Sequence, residues 1–198
     1  MYENIFKYPG NKSKFLTTIN SVLRRSTCKT YVEPFFGGGT IFFNLSGKFD
    51  TKFDTKIIND IDPVLLKIVH TLVNSTYDEV LEFEHFIVSK FGNVSKQKDA
   101  YYAFREYVNT LQESKEKQLG LFKLSRACIN SMIRFGPNGF NQGFGNRGGD
   151  LMISKKSFDL LKHAMQNTSV FTIDYQKLQK YDSADTLWVL DVLRINFH

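Results

Sequence analysis

Three stretches of this chain place residue types at spacings that suit small-molecule chemistry. In "TYVEPFFGGGT" a short apolar strand runs into Gly37, Gly38 and Gly39, and Asp60 ends the next strand roughly 20 residues later. Such glycines let a ligand lie against bare backbone, and an acidic strand end accepts hydrogen bonds from ribose hydroxyls. The pair therefore suits an adenosine-containing ligand. The turn lacks the Lys-Ser/Thr that holds terminal phosphates and magnesium, which argues against a nucleoside triphosphate site. A purely structural turn would use the same glycines. In "KYPGNK", Lys7 and Lys12 flank a Pro-Gly turn that opens a helix, with Tyr8 between them. Ammonium groups beside helix-start amides suit a carboxylate; the alternative is a loop with solvated lysines. The third stretch, "LWVLD", leads an apolar strand to Asp191, which Val192, Leu193 and Arg194 follow.

These residues need strands and helices to hold them. Phe15, Leu16, Ile19, Val22 and Leu23 predict one apolar face of a helix over residues 13–25. Tyr31 and Val32 form a strand before the glycine turn, and a helix resumes at Thr40. "TKIIND" reads as a second strand, with Asp62 and Pro63 as N-cap and first-turn proline of the next helix. Thr76 and Glu79 form a capping box. Helical spacing then continues through "YYAFREYV" and "LGLFKLSRACINSMI" to Ile133, and the aromatic residues from Tyr101 to Tyr107 read as core. "NGFNQGFGNR" reads as a hairpin or ordered loop with two exposed phenylalanines, Phe140 and Phe144. Ser154 caps a last helix through Met165, and strand character returns in "SVFTID" and "TLWVLDV".

Composition bounds the function. The 198 residues are 42% hydrophobic and 15% aromatic, enough for one core with an inserted subdomain. The formal net charge of +6 permits an acidic partner, nucleic acid first, because cationic side chains displace counterions from phosphates. Cys28 and Cys128 lack metal-ligand spacing and read as reduced core thiols. No run approaches the ~20 apolar residues of a membrane span, and the first dozen residues do not read as a secretory signal, so a cytoplasmic address is expected.

In order along the chain, "KYPGNK", "YVEPFFGGGTIFFNL", "IINDIDPVLLKI", "NSMIRFGPNGFNQGFGNR" and "FTIDYQKL" resemble the Dam-type DNA adenine-N6 methyltransferases. The resemblance implies an α/β fold: an incomplete Rossmann-like methyltransferase sheet with an inserted, mainly helical DNA-recognition subdomain. It divides the chain into residues 1–66, 67–165 and 166–198. It also implies S-adenosylmethionine as cofactor, no metal, and double-stranded DNA as partner, with a GATC-like target. Tyr8 and Lys12 then face the methionine part of the cofactor. Glu33, Phe35 and Gly37 belong to the cofactor loop, Asp60 is the ribose ligand, and Asp174 with Tyr175 lines the adenine pocket. Arg134 and Arg147 contact DNA. An arginine fork suits the N7 and O6 acceptors of guanine, which makes Arg147 the base reader, while Arg134 equally suits a phosphate or an internal ion pair. Asn141 reads a base edge or serves the turn.

The resemblance makes Asp191 both a cofactor-site residue and the catalytic one. In the family an Asp-Pro-Pro-Tyr motif follows the adenine-pocket segment; its first residue and proline backbone hold the exocyclic amine of a flipped adenine, on which the tyrosine stacks. Here Val192, Leu193 and Arg194 stand where Pro-Pro-Tyr is expected. Codons for Val192 to Ile195 exist whose bases, read in another frame, spell Pro-Pro-Tyr. A frame change near Val192, an impaired or inactive chain, and a frameshifted remnant are therefore expectations, beside a binding module without catalysis. Leu187 to Leu193 would then form an exposed sheet edge, with self-association or a completing polypeptide as its consequence.

Overall fold

Thr30–Glu33 and Thr55–Asn59 are buried on both faces apart from their first residues, as strands covered on two sides are, and they form the inner pair of a parallel sheet. In a computed structural model, residues 5–7, 12–49, 52–146, 149 and 151–190 are described, residues 46–49 by their backbone alone. In chain order the elements are α1 (Leu16–Arg25), β1 (Thr30–Glu33), α2 (Thr40–Phe49), β2 (Thr55–Asn59), α3 (Pro63–Val73), α4 (Tyr77–Phe91), α5 (Lys98–Thr110) and α6 (Lys115–Ala127). They continue with β3 (Phe135–Gly136), β4 (Gly139–Phe140), α7 (Lys155–Ala164), β5 (Thr168–Phe171) and β6 (Thr186–Trp188). The chain divides into two units: Met1–Ile5, Gly10–Leu66 and Asp159–His198 form one, and Phe6–Pro9 with Lys67–Phe158 the other.

The first unit carries a mixed α/β fold with a parallel sheet, of the Rossmann-like kind the resemblance implies. Its sheet has the order β5-β2-β1-β6, all parallel. Val32 stands opposite Ile57 on one side and Trp188 on the other, which fixes the register. Going from β1 through α2 to β2 takes the chain one way across the sheet; β6 returns to the other side of β1. The carboxyl ends of β1 and β6 therefore flank a topological switch point, where open α/β sheets bind ligands. On one face Val32, Ile57 and Leu178 are fully buried, with Phe171, Ile173, Tyr181 and Trp188 packed against them. On the other, Tyr31 lies 6.0 Å from the Phe42 ring and 5.4 Å from the Phe53 ring. Lys56 is buried, and its Nζ donates to the carbonyl of Ala164 at 2.9 Å, a cation at the last turn of α7.

Several sequence expectations need correcting. Residues 13–15 form a 3-10 turn, so Phe15 is not on the α1 stripe and stands 59% exposed. The buried stripe of α1 is Leu16, Asn20 and Leu23, while Val22 points outward. Helical geometry stops at Ala127, not Ile133. Asn130 and Ser131 adopt positive φ values of 56° and 53°, which turn the chain out of the helix.

In the second unit α6 is buried nearly all round and serves as its axis. Gly120 permits the approach of α5, because a Cβ there would lie 2.6 Å from a Val108 methyl. Tyr101 and Phe104 of α5 are fully buried. The capping box of α4 forms as its sequence predicts, with Glu79 N–H donating to Thr76 and Thr76 N–H to Glu79. A hydrogen bond from Lys115 holds the Glu79 carboxyl below its ordinary range. Inside the unit, Lys123 Nζ and Glu84 Oε1 pair at 2.5 Å with side chains only 3% and 4% exposed. Arg126 lies close enough to feel the Glu84 charge, and burial pulls its guanidinium pKa down.

Candidate functional site

At the carboxyl end of β1 the backbone must turn sharply to start α2, and Gly37 and Gly39 do so with φ of 49° and 63°. A Cβ on Gly39 would sit 2.5 Å from the Phe36 ring and 2.6 Å from the Phe43 ring, so packing and backbone both require glycine there. The Gly37 N–H donates to Asp60 Oδ2 at 2.7 Å, and the Asp62 N–H to Asp60 Oδ1 at 3.0 Å. The glycine loop and the acidic end of β2 are thus in direct contact. Asp62 caps α3 by accepting from Val64 N–H at 2.9 Å.

Glu33 ends β1 in a buried position, 2% exposed, and its Oε2 accepts from the Tyr31 hydroxyl at 2.6 Å. Burial and the Glu33 charge push the Tyr31 phenol well above its ordinary pKa, so it remains a donor. Two residues after Glu33, the Phe35 ring lies 5.2 Å from the ring of Tyr175, an edge-tilted pair with Tyr175 46% exposed. Asp174 caps the 3-10 turn Tyr175–Tyr181 by accepting from Gln176 N–H at 2.9 Å. Lys12 is half-buried at the entrance to the turn before α1. Glu33, Phe35, Gly37, Asp60, Asp174 and Tyr175 therefore gather at one edge of the sheet. Tyr8, Arg147 and Asp191 lie outside the described residues.

Two contributors were missed in the sequence. Tyr31 reads there as an ordinary strand residue, and its i, i+2 spacing to Glu33 is the signal that both share a face. Asn59 reads as the polar end of a strand. In the structure it is 1% exposed, and its amide joins the loops after β1 and β5.

In the second unit, β3 and β4 form a hairpin with Phe135 opposite Phe140. Phe140 is buried, contrary to expectation. Its backbone N–H and carbonyl are both held by Asn109 of α5, at 2.8 and 3.1 Å, which turns the side chain inward. Phe144 is half-buried, 5.6 Å from the Tyr101 ring, and bridges Cys128 through its backbone. Arg134 and Asn141 are exposed and joined, with Arg134 Nε donating to Asn141 Oδ1 at 3.2 Å and Asn141 N–H to the Arg134 carbonyl at 3.0 Å. Among the described residues no group of acidic, histidine or cysteine side chains forms a metal cage, and no helix is long and apolar enough to cross a membrane.

Comparison with known proteins adds a family. A model of the D12 class N6 adenine-specific DNA methyltransferases matches residues 8–189. The Type II methyltransferase M.MjaIII of Methanocaldococcus jannaschii is 25% identical over 196 residues, covering 93% of this chain and 66% of the relative. The DNA adenine methylase of Salmonella typhi is 30% identical over 140 residues, covering 70% and 46% respectively. That of Haemophilus influenzae is 26% identical over 187 residues, covering 93% and 61%. The chain thus spans 46% to 66% of the length of these relatives.

Proposed function

The chain belongs to the D12 class N6 adenine-specific DNA methyltransferase family, and on that premise we propose that it binds S-adenosylmethionine at the carboxyl edge of its sheet and takes part in methylating adenine N6 in duplex DNA. The observation that carries the cofactor assignment is the contact between the Gly37 amide and the Asp60 carboxylate, which puts a glycine loop against an acidic strand end. The donor set suits the ligand. Each Asp60 oxygen accepts one backbone N–H and keeps a lone pair for a ribose hydroxyl. The Phe35–Tyr175 pair offers apolar ring surface to the adenine, with Asp174 beside it. The buried Glu33 suits the cationic end of the methionine part, and Tyr8 with Lys12 its carboxylate.

When bound, the cofactor supplies an electrophilic methyl group. The chain's own work is to orient it, to exclude water, and to present the target amine. Asp191 would accept a hydrogen bond from the exocyclic N6 amine of the flipped base, leaving the nitrogen more nucleophilic, while alignment lowers the entropic part of the barrier. On the DNA side, Arg134 spends its Nε on Asn141, so its terminal amino groups are the ones that reach a guanine edge or a phosphate, and Asn141 and Arg147 are the further candidate readers of a GATC-like site.

A second reading, a module that binds cofactor and DNA without transfer, is favoured by one observation: Val192, Leu193 and Arg194 follow Asp191 where the resemblance leads one to expect Pro-Pro-Tyr. Self-association or a completing polypeptide belongs to this reading. Calorimetric titration with S-adenosylmethionine, followed by transfer of a labelled methyl group to adenine-containing duplex, tests both. Saturable binding with transfer supports the first reading. Binding without transfer supports the second. A folded chain that binds no cofactor overturns both.

A further inference from the structure

We infer that Asn59 is a positioning residue of this site: its side chain sets the Asp174–Tyr175 segment against the Phe35 loop, and so determines how tightly the adenosine end of the ligand is held. The inference rests on the S-adenosylmethionine reading above.

Asn59 is the last residue of β2, one position before Asp60, and is 1% exposed. Its Nδ2 donates to the Pro34 carbonyl at 3.0 Å and to the Ile173 carbonyl at 3.1 Å. Its Oδ1 accepts from the Ile173 N–H at 3.0 Å. The orientation of the amide follows from this network, since a flipped amide would set Nδ2 against the Ile173 N–H and Oδ1 against carbonyl oxygens. The backbone carbonyl of the same residue accepts from Phe36 N–H at 2.9 Å, on the far side of Phe35 from Pro34.

The placement matters because the regular ladders end short of the site. β1 ends at Glu33 and β5 at Phe171, one residue before Pro34 and two before Ile173. Beyond those ends Asn59 supplies the bridge. Pro34 directly precedes Phe35, and Ile173 directly precedes Asp174 and Tyr175. The 5.2 Å spacing of the Phe35 and Tyr175 rings is thus set by two peptide segments held by one buried amide. An apolar side chain would fill the same space but leave these backbone groups without those bonds. Here three backbone groups from two loops are satisfied by one residue adjacent to the ribose acceptor.

The test compares the wild-type chain, Asn59→Asp and Leu161→Ala, at a temperature where all three are folded by circular dichroism. Asn59→Asp keeps the shape but sets a carboxylate oxygen against two carbonyls. Leu161→Ala empties a fully buried position of α7 that has no part in the site. The readouts are thermal midpoint, affinity for S-adenosylmethionine, and hydrogen exchange of the Asp174–Lys177 amides. The expected result is a loss of affinity of tenfold or more in Asn59→Asp with faster exchange at those amides. Leu161→Ala should stay within twofold of wild type despite a comparable drop in midpoint. Affinity within twofold of wild type in Asn59→Asp overturns the inference and leaves the cofactor reading intact. Equal losses in the two variants show an ordinary structural role and overturn it too. A folded wild type that does not bind removes the cofactor reading and the inference with it.

Discussion

The amide of Gly37 donates to the carboxylate of Asp60 at 2.7 Å across 23 residues of sequence. This bond joins the turn that starts α2 to the tip of β2, and it shapes the loop before any ligand arrives. The carboxylate also holds Asp62, whose own side chain caps α3. One acidic residue therefore organises the starts of two helices.

Asp60→Ala removes the acceptor of two backbone N–H groups. Both lie where water can partly replace it, so the expected loss of stability is small, about 1 kcal/mol in urea unfolding. Affinity for S-adenosylmethionine should fall at least tenfold, which corresponds to roughly 1.4 kcal/mol. A variant of unchanged affinity would show that the carboxylate serves the loop alone.

Asn109 links α5 to the hairpin by accepting from the Phe140 N–H and donating to its carbonyl. Gly139, at φ 98°, lets it approach, since a Cβ there would meet Asn109 Oδ1 at 2.5 Å. Asn109→Ala leaves both backbone groups of Phe140 without these partners and should cost about 2 kcal/mol. It should also weaken DNA binding in a fluorescence anisotropy titration, because Arg134 and Asn141 flank the released strand, while cofactor affinity stays as it was. Equal DNA affinity in wild type and variant would remove the hairpin from the DNA-binding surface.

The elements whose local chemistry determines them were legible in the sequence. Thr76 and Glu79 form their capping box, Asp62 and Pro63 open α3, and the apolar runs at Tyr31 and Ile57 become inner strands, because caps and periodicity act over a few residues. What escaped depends on distant partners. The apolar spacing of Cys128 to Ile133 continues a helical pattern, yet these residues leave the helix, and Ile129 N–H donates to the Gly143 carbonyl at 3.0 Å. Phe140 looks solvent-facing beside glycines until Asn109 of α5 is brought to it. Asn59 has no periodic signature, since its three partners lie in loops 25 and 114 residues away.

Lys123 and Glu84 make a buried ion pair that joins α6 to α4. Among the described residues Glu84 Oε2 has no hydrogen-bond partner, so the carboxylate depends on neighbouring cations. Lys123→Met leaves that buried charge without its close partner, beside Arg126, and should destabilise the protein by about 3 kcal/mol. Adding Glu84→Met should restore much of the loss, since it removes the uncompensated charge and fills the space. If the double variant is less stable than the single one, the pair contributes more than its desolvation costs.

Alkaline solution should destabilise the fold in a way that identifies Cys128. Burial pushes its thiol up to about 11, and burial with Glu116 pushes the Tyr107 phenol up to about 12. In the unfolded chain these groups lose their protons at about 8.5 and 10. Between the two values the folded state holds more protons than the unfolded one, so unfolding releases protons and becomes easier as pH rises. The thiol's contribution is complete below about pH 8.5 and is lost as pH rises through the folded value of about 11. The tyrosines act in the same direction from about pH 10 upward, with Tyr31 further raised by its buried position beside Glu33. The urea midpoint should be level near neutrality and fall above about pH 9, whereas Cys128→Ala should stay level until the tyrosines begin to titrate near pH 10. Parallel pH profiles for the two proteins would show that the buried thiol does not carry the first part of the decline.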